Sequence, residues 1–350
     1  MEGKLENRMA KERANIYTIA EEAGVSPSTV SRVMSNAARV SAEKRKRVEA
    51  AIRKYDYKPN ALAQGLSTSR TKMIGIVVAH IENVFYSKMA AECERVANER
   101  GYMLMMLSSL SDFELEKRQI QKLYEQCVDA IIILGGNVDQ VVADEEYVEI
   151  INRISETIPV VATGRPQGVN CYKIGMDEGY AMELAMNYLV DLGHKEIAAM
   201  GGCKTVKSTL DKRIRYRSLI REHGLEYREE YLVETENYNF DSGYNSMKEL
   251  LKKSLPSAVI CINDFFACGV MKAIGEAGLK IPEDISIIGF DNTILSSILI
   301  PDLTGVACDY EDFSKKLVET AIGAAERREM PKEQITDVSL IIRSSCRMIK

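Results

Sequence analysis

Side chains that do chemistry must occur at workable spacings, and the first candidates in this chain are its cysteines and histidines. The eight Cys are scattered singly with no Cys-x-x-Cys pair, and His80, His194 and His223 form no metal-binding spacing. Neither a zinc site nor a redox pair is supported. Cys261 and Cys268 fall in apolar surroundings, where a thiol behaves as a small hydrophobe. The run GGCKT at 201–205 has the outline of a phosphate loop but lacks the Gly directly before its Lys. No G-x-S-x-G is present, and no G-x-G-x-x-G follows a strand pattern. No catalytic residue, metal or cofactor is therefore expected. What remains is recognition chemistry, beginning with the cationic turn Lys44, Arg45, Lys46 and Arg47. Such a run is usually a solvated face, and it becomes a phosphate contact only beside an element that approaches nucleic acid.

The flanking segments supply such an element. In NIYTIAEEAGVSPSTVSRVMSN (15–36), Asn15 can cap a helix whose apolar positions Ile16, Ile19, Ala20 and Ala23 recur at helical spacing, and Gly24 breaks it. Ser26 can cap a second helix with Pro27 at its first position, where the missing N–H does no harm. Ala20, Gly24 and Val30 provide the small contact, the turn and the apolar lock that two helices crossing at a tight turn require. A third helix, capped by Ser41, runs through AEKRKRVEAAIRKY and would turn Val48, Ile52 and Tyr55 inward. Charge follows the same division: residues 1–70 carry 14 Lys and Arg against 8 Asp and Glu, although the whole chain carries a net charge of -5. A basic head on an acidic body places nucleic acid at the N-terminus.

From Lys72 short apolar runs alternate with amphipathic helices. The runs are MIGIVVA (73–79), YMLMML (102–107), DAIIILG (129–135), PVVAT (159–163), EIAAMGG (196–202), AVICIN (258–263) and ISIIGFD (285–291). Continuous β-branched runs between helices predict parallel strands covered on both faces. Two doubly wound halves follow, with a ligand between the carboxyl ends of their strands. The first 15 residues contain no apolar signal region and no run approaches a membrane span, so a cytoplasmic protein with no membrane partner is expected.

TIAEEAGVSPSTVSRV, then VSAEKRKRVEAAIRKYDYKPNALAQGLS, then the body motifs in order and at spacing closely resemble the lac repressor family across nearly the whole chain. The resemblance implies an α/β protein: an all-α helix-turn-helix head and a periplasmic-binding-protein-like body of two doubly wound parallel-sheet halves. Its parts would be a flexible extension (1–14), the DNA-binding head (15–58), a hinge helix and linker (59–71) and the effector-binding and dimerisation body (72–350). The first half of the body would span about 72–174 and 307–330, and the second about 175–306 and 331–350, with crossings near 174, 306 and 331. Carried over from the family, Pro27, Ser28 and Arg32 touch base edges and Thr29 and Ser31 lie nearer phosphates, with Tyr17, Ser26, Asn36 and Asn60 completing the DNA-facing set. The fork of Arg32 suits a guanine O6/N7 pair. Pro59 to Leu66 resembles a hinge helix that folds on DNA and wedges Leu66 into the minor groove, although Gln64-Gly65 stands where Arg-Ser is common. For the effector, Phe85 and Tyr86 resemble the aromatic pair that packs on a ring, and Asn263 and Asp291 the hydrogen-bonding pair. The cationic contact falls on Lys212 or, with a one-residue deletion, on Arg213, and Arg165 stands nearby.

The function implied is a sequence-specific, DNA-binding transcription regulator, a repressor whose partners are double-stranded operator DNA, a small sugar or sugar-derived effector and a second copy of itself. No heptad tail follows the last apolar strand, VSLIIR (338–343), which favours a dimer over a coiled-coil tetramer. VFYS (84–87), ILGGN (133–137) and GFDNT (289–293) resemble catabolite control proteins, which answer to a phosphorylated carrier protein. Their docking Arg corresponds to Ile300 here. A sugar-binding transport protein would need a secretion signal and no basic head, and an enzyme of the doubly wound class would be removed by a turnover screen. Gly164 stands before Arg165-Pro166, where sugar-binding members carry Asp. Either the effector is anionic, such as a sugar phosphate or sugar acid, or Gly164 leaves space for a larger neutral sugar.

Overall fold

The computed structural model describes residues 14–34, 40–57, 70–164 and 166–349. The chain divides into two units, Met1–Thr71 and Lys72–Lys350. In the first, α1 (Ile16–Glu22), α2 (Pro27–Met34) and α3 (Ala42–Tyr55) form the three expected helices. The Asn15 side chain accepts hydrogen bonds from the Tyr17 and Thr18 N–H groups at 2.9 and 3.0 Å, satisfying two donors that the first turn leaves open. Gly24 takes φ +58°, a left-handed conformation that a side chain resists, and Val25 N–H returns to Ala20 O at 2.9 Å. Ser26 Oγ accepts from Thr29 N–H at 3.3 Å and starts α2. Ile19, Ala20, Val30, Val33, Val48 and Ala51 close the small core, with Ile52 and Tyr55 packed against it. Ser41 precedes α3 but its side chain makes no capping bond. Its exposed position leaves that first turn to solvent. The expected extension, the hinge and the residues Asn36, Asn60, Leu66 and Arg165 lie outside the described residues, except that Ala14, Arg70 and Thr71 at the edges of those segments are described.

The second unit contains two six-stranded sheets of order β11-β5-β4-β3-β1-β2 and β12-β10-β9-β8-β6-β7. The seven predicted runs become β1 (Met73–Val78), β2 (Met103–Ser108), β3 (Ala130–Leu134), β4 (Val160–Ala162), β6 (Ile197–Met200), β8 (Ala258–Cys261) and β9 (Ser286–Phe290). VSLIIR (338–343), expected as the last apolar strand, becomes β12 (Val338–Ile341), and to these the fold adds β5 (Tyr172–Met176), β7 (Leu232–Val233), β10 (Thr304–Cys308) and β11 (Glu333–Thr336). All named pairs are parallel except β10 with β12. β2 corrects the expectation of strands covered on both faces: as an edge strand it leaves Met103 and Met106 at 55% and 46% exposure.

Helices cover both faces of each sheet. On the first, α4 (Val84–Glu99) and α12 (Tyr310–Ala325) pack Met89, Cys93, Phe313 and Leu317 against one face. On the other face α5 (Phe113–Glu125) and α6 (Glu145–Ser155) bring Ile120, Leu123, Tyr147 and Ile151. On the second sheet α7 (Glu178–Asp191) and α8 (Lys207–Glu222) oppose α9 (Phe240–Leu251) and α10 (Asp264–Glu276). A short α11 (Ile294–Ile298) follows β9. The chain crosses between halves at Asp177, Asp309 and Asp337, each between a strand of one sheet and the next element of the other. Those points lie beyond the expected 174, 306 and 331, because β5, β10 and β11 each run to a sheet's end before the chain leaves it.

Candidate ligand cleft and nucleic-acid interface

On the head, the inward face of α2 carries Val30 and Val33, so its other face points away from that small core. Ser28 and Arg32 lie exposed on that face, Pro27, Thr29 and Ser31 are half-buried, and Tyr17 on α1 is 70% exposed. Ser26 Oγ lies 2.9 Å from Ser28 Oγ and 3.0 Å from Thr29 Oγ1, a cluster of hydroxyls at the start of the helix. Lys44, Lys46 and Arg47 are exposed on α3 and Arg45 is half-buried. Lys54, by contrast, is paired with Glu22 at 2.8 Å, and Tyr55 Oη donates to the same carboxylate at 2.8 Å. Those bonds hold Glu22 below the usual carboxylate range and tie α3 to α1. The sequence gives no sign of that pairing, since its partners lie far apart along the chain.

In the body, doubly wound sheets open their crevice where neighbouring strands send connections to opposite faces. Here those points are β1/β3 and β6/β8, and the segments following β3 and β6 meet. Phe85 and Tyr86 enter from the first turn of α4, their rings 5.2 Å apart and edge-to-face, with Tyr310 5.9 Å from Phe85. Asp291 follows β9 at φ +91°, and Tyr310 Oη donates to its backbone oxygen at 2.8 Å. Burial pushes the Asp291 carboxyl well above its ordinary range, and Asp264 adds to this, while Lys212 and Lys88 oppose it. Asn263 caps α10 by accepting from Phe266 N–H at 2.7 Å and donates to Tyr238 O at 3.1 Å. Those bonds use its oxygen and one of its two N–H donors.

The two candidate cations separate. Lys212 pairs with Glu178 and sits 5.0 Å from the centroid of the Phe290 ring, so it joins the Asp291 group. Arg213 donates to the backbone oxygens of Val233 and Leu232, both at 3.1 Å. That arginine is spent on the edge strand β7. Gly164 is likewise explained locally: a Cβ there would lie 2.2 Å from Val138 O. The missing carboxylate therefore marks a close backbone approach. Among the described residues, Asp139, Glu178 and Asp291 share the Lys212 neighbourhood.

Asp139, which no motif had singled out, joins the halves. It accepts from Ser208 N–H at 3.2 Å and from the Ser208 hydroxyl. Beside it, Val141 N–H donates to Thr205 O at 2.8 Å and Gln140 bridges to Val206 in antiparallel fashion. Burial, with Glu178 nearby, raises the Asp139 carboxyl to about 6 against the Ser208 bonds and Lys212. The GGCKT run is also satisfied from within: Cys203 N–H donates to Tyr238 Oη at 3.1 Å and Lys204 N–H to Glu234 at 3.1 Å. Neither is left for a phosphate. Among the described residues no cluster of His, Cys, Asp and Glu could hold a metal ion, and no helix is long and apolar enough to cross a membrane.

Comparison with known proteins places these parts together. The model for bacterial regulatory proteins of the lacI family matches residues 15–60, and that for a periplasmic binding protein-like domain matches residues 186–346. The chain is 35% identical over 292 residues to catabolite control protein A of Staphylococcus epidermidis, covering 83% of this chain and 86% of that one. Among solved structures, the lac repressor dimer bound to operator and the anti-inducer ONPF superposes with a TM-score of 0.83 at 26% identity, covering 96% of this chain and all of that one. A periplasmic binding protein/LacI transcriptional regulator from Alkaliphilus metalliredigens complexed with D-xylulofuranose gives 0.69 at 26% identity, covering 79% of this chain and 99% of that one. The relatives matched are transcription regulators.

Proposed function

Since this chain belongs to the lacI family of bacterial regulatory proteins and is a DNA-binding transcription regulator, we propose that it is a cytoplasmic, non-enzymatic repressor. It would bind operator DNA as a homodimer and answer to a neutral sugar held between the halves of its body. The observation that carries the ligand assignment is the meeting of Tyr86, Tyr310, the Lys212–Glu178 pair and the Asp291 carboxyl at the strand ends. Aromatic rings pack on the apolar face of a sugar, and a carboxyl group hydrogen-bonds its hydroxyls as acceptor or, when protonated, also as donor. Phe85, Asn263 and Arg165 complete the proposed effector set, with Lys212 rather than Arg213 as its cation.

At the operator, Arg32 would read a guanine, Pro27 and Ser28 would lie against bases, and Tyr17, Ser26, Thr29, Ser31, Asn36 and Asn60 would fix the register on phosphates and sugar. Leu66 would wedge into the minor groove as the hinge folds. The test is footprinting of the full chain on genomic DNA, followed by titration with candidate sugars. Protected sites whose occupancy changes with a neutral sugar are expected, and no protected site at low salt would defeat the proposal.

A second reading, control by a phosphorylated carrier protein, is favoured by the catabolite control relatives. Ile300 opposes it: it is 95% exposed where the resemblance expects a docking cation, and an isoleucine offers a phosphate no bond.

A further inference from the structure

We propose that Glu116, a buried carboxyl behind the cleft, is a proton-operated brace: through the turn 135–137 it holds Asp139 against Ser208 and so fastens one half of the body to the other. Glu116 lies on α5 and is 1% exposed. Both of its carboxyl oxygens accept from Asn137 N–H, at 3.2 and 3.1 Å, and the Asn137 side chain donates to Phe113 O at 3.3 Å. Gly135 and Gly136, at φ +71° and +80°, make room for this. A Cβ on Gly136 would run into the Glu116 carboxyl, and one on Gly135 into the Tyr86 hydroxyl. The turn is therefore pressed between α5 and the aromatic wall of the cleft. Just beyond it, Asp139 accepts from Ser208 N–H and Val141 N–H donates to Thr205 O, both across the halves.

Among the described residues no cation answers Glu116. Its neighbour Lys117 turns instead to Glu114, Asp144 and Glu146. The titratable groups that face Glu116 are Tyr86 of α4 and Tyr147 of α6, phenols that burial keeps neutral. Burial pushes the Glu116 carboxyl up to about 7, against the bonds from Asn137 and the adjacent Tyr147 hydroxyl. Facing Asp139, which burial raises to about 6, are Glu178 and Lys212 with the phenols Tyr86 and Tyr238. Releasing the turn would open both carboxyls to water, where they titrate near about 4.3 and about 3.9. The fastened state thus holds its protons more tightly, so acid fastens the halves and base loosens them. Between about pH 5.5 and 8 the shift at Glu116 changes the ratio of fastened to released body about thirtyfold, and that at Asp139 about fourfold. Glu116 therefore dominates near neutrality.

The test is amide hydrogen exchange of the full chain, followed by mass spectrometry from about pH 5.5 to 8 with rates corrected for the intrinsic effect of pH. Protection of residues 137–142 and 205–209 should fall together by about tenfold or more as pH rises, while residues 266–274 of α10 keep theirs. Glu116→Gln retains an acceptor for Asn137 N–H and cannot ionise, so it should hold the low-pH protection across the range. Asp139→Asn should remove only the smaller part of the fall, and Glu116→Ala should lose protection in both segments at every pH. Protection that does not change with pH in the parent chain would overturn the proposal, as would the full fall persisting in Glu116→Gln. Loss confined to 137–142, with 205–209 unmoved, would overturn the fastening of the second half and leave Glu116 as a local support of its turn.

Discussion

Arg32 and Asp139 illustrate two kinds of candidate residue, one visible from its neighbours in sequence and one only from the fold. Arg32 is exposed on the outer face of α2, and its place follows from the cap, turn and apolar positions within a few residues of it. Arg32→Ala should cost about 1–3 kcal/mol at the operator if the fork reads a base. Gel-shift titration on operator and random DNA checks this, and an equal loss on both would make Arg32 a phosphate contact. Asp139 gains its importance from Ser208, Glu178 and Lys212, all distant in sequence. Its carboxyl is raised to about 6 where the halves meet, so the folded state binds that proton more tightly than the unfolded chain, whose Asp titrates near 3.9. The stability it contributes is fully present below about pH 4 and is lost as pH rises towards 6. Asp291 shifts in the same direction, so the effect is isolated by comparison: Asp139→Asn should flatten the thermal midpoint between pH 4 and about 6 relative to the parent chain. Parallel pH profiles would show that Asp139 does not titrate in this window.

At the scale of elements, strands were legible where their own side chains carried the signal. AIIIL in β3 and SIIGF in β9 are wholly buried, and a central parallel strand must be apolar on both faces. EQIT in β11, YKIGM in β5 and the two-residue β7 owe their extended form to pairing, which no local pattern announces. The site divides the same way: Tyr86, Asn263 and Asp291 stand beside recognisable strand ends, whereas Glu178 and Tyr238 reach the cleft only through the packing of α7 and the loop before α9. In the head, local signals are sufficient at the start of α1 and between α1 and α2, where Asn15, Gly24 and Ser26 supply the caps and the turn. Gly24 holds the turn between α1 and α2 at φ +58° with only ordinary contact around a Cβ, so conformation alone penalises a side chain there. Gly24→Ala should destabilise the head by about 1–2 kcal/mol, read as faster amide hydrogen exchange across residues 16–34 with no change in the body. Unaltered exchange would mean that the turn relaxes into another conformation.

For the whole molecule, a basic head on an acidic body raises the question of how one short reading helix achieves specific binding. A single helix-turn-helix contacts one half-site, and regulators of this kind place two such helices about one DNA turn apart by dimerising. The proposed dimer needs such a surface on the body. Among the described residues β2 is an edge strand, paired only with β1, and Met103, Met106, Leu110 and Phe113 on and after it are between 43% and 56% exposed. An apolar sheet edge left in water invites pairing with another chain, and a second copy meeting it across a two-fold axis would cover both edges at once. Met106→Glu should then convert a dimer to a monomer in sedimentation without lowering the thermal stability of the body, since the side chain already lies half in solvent. Operator affinity should fall steeply and become strongly dependent on protein concentration, because two heads must now be brought to the site separately. The salt dependence per head should persist, as Lys44, Lys46 and Arg47 are untouched. A Met106→Glu variant that sediments as a dimer would place the self-association surface elsewhere, and one that is monomeric yet binds operator as tightly as the parent would separate dimerisation from recognition altogether.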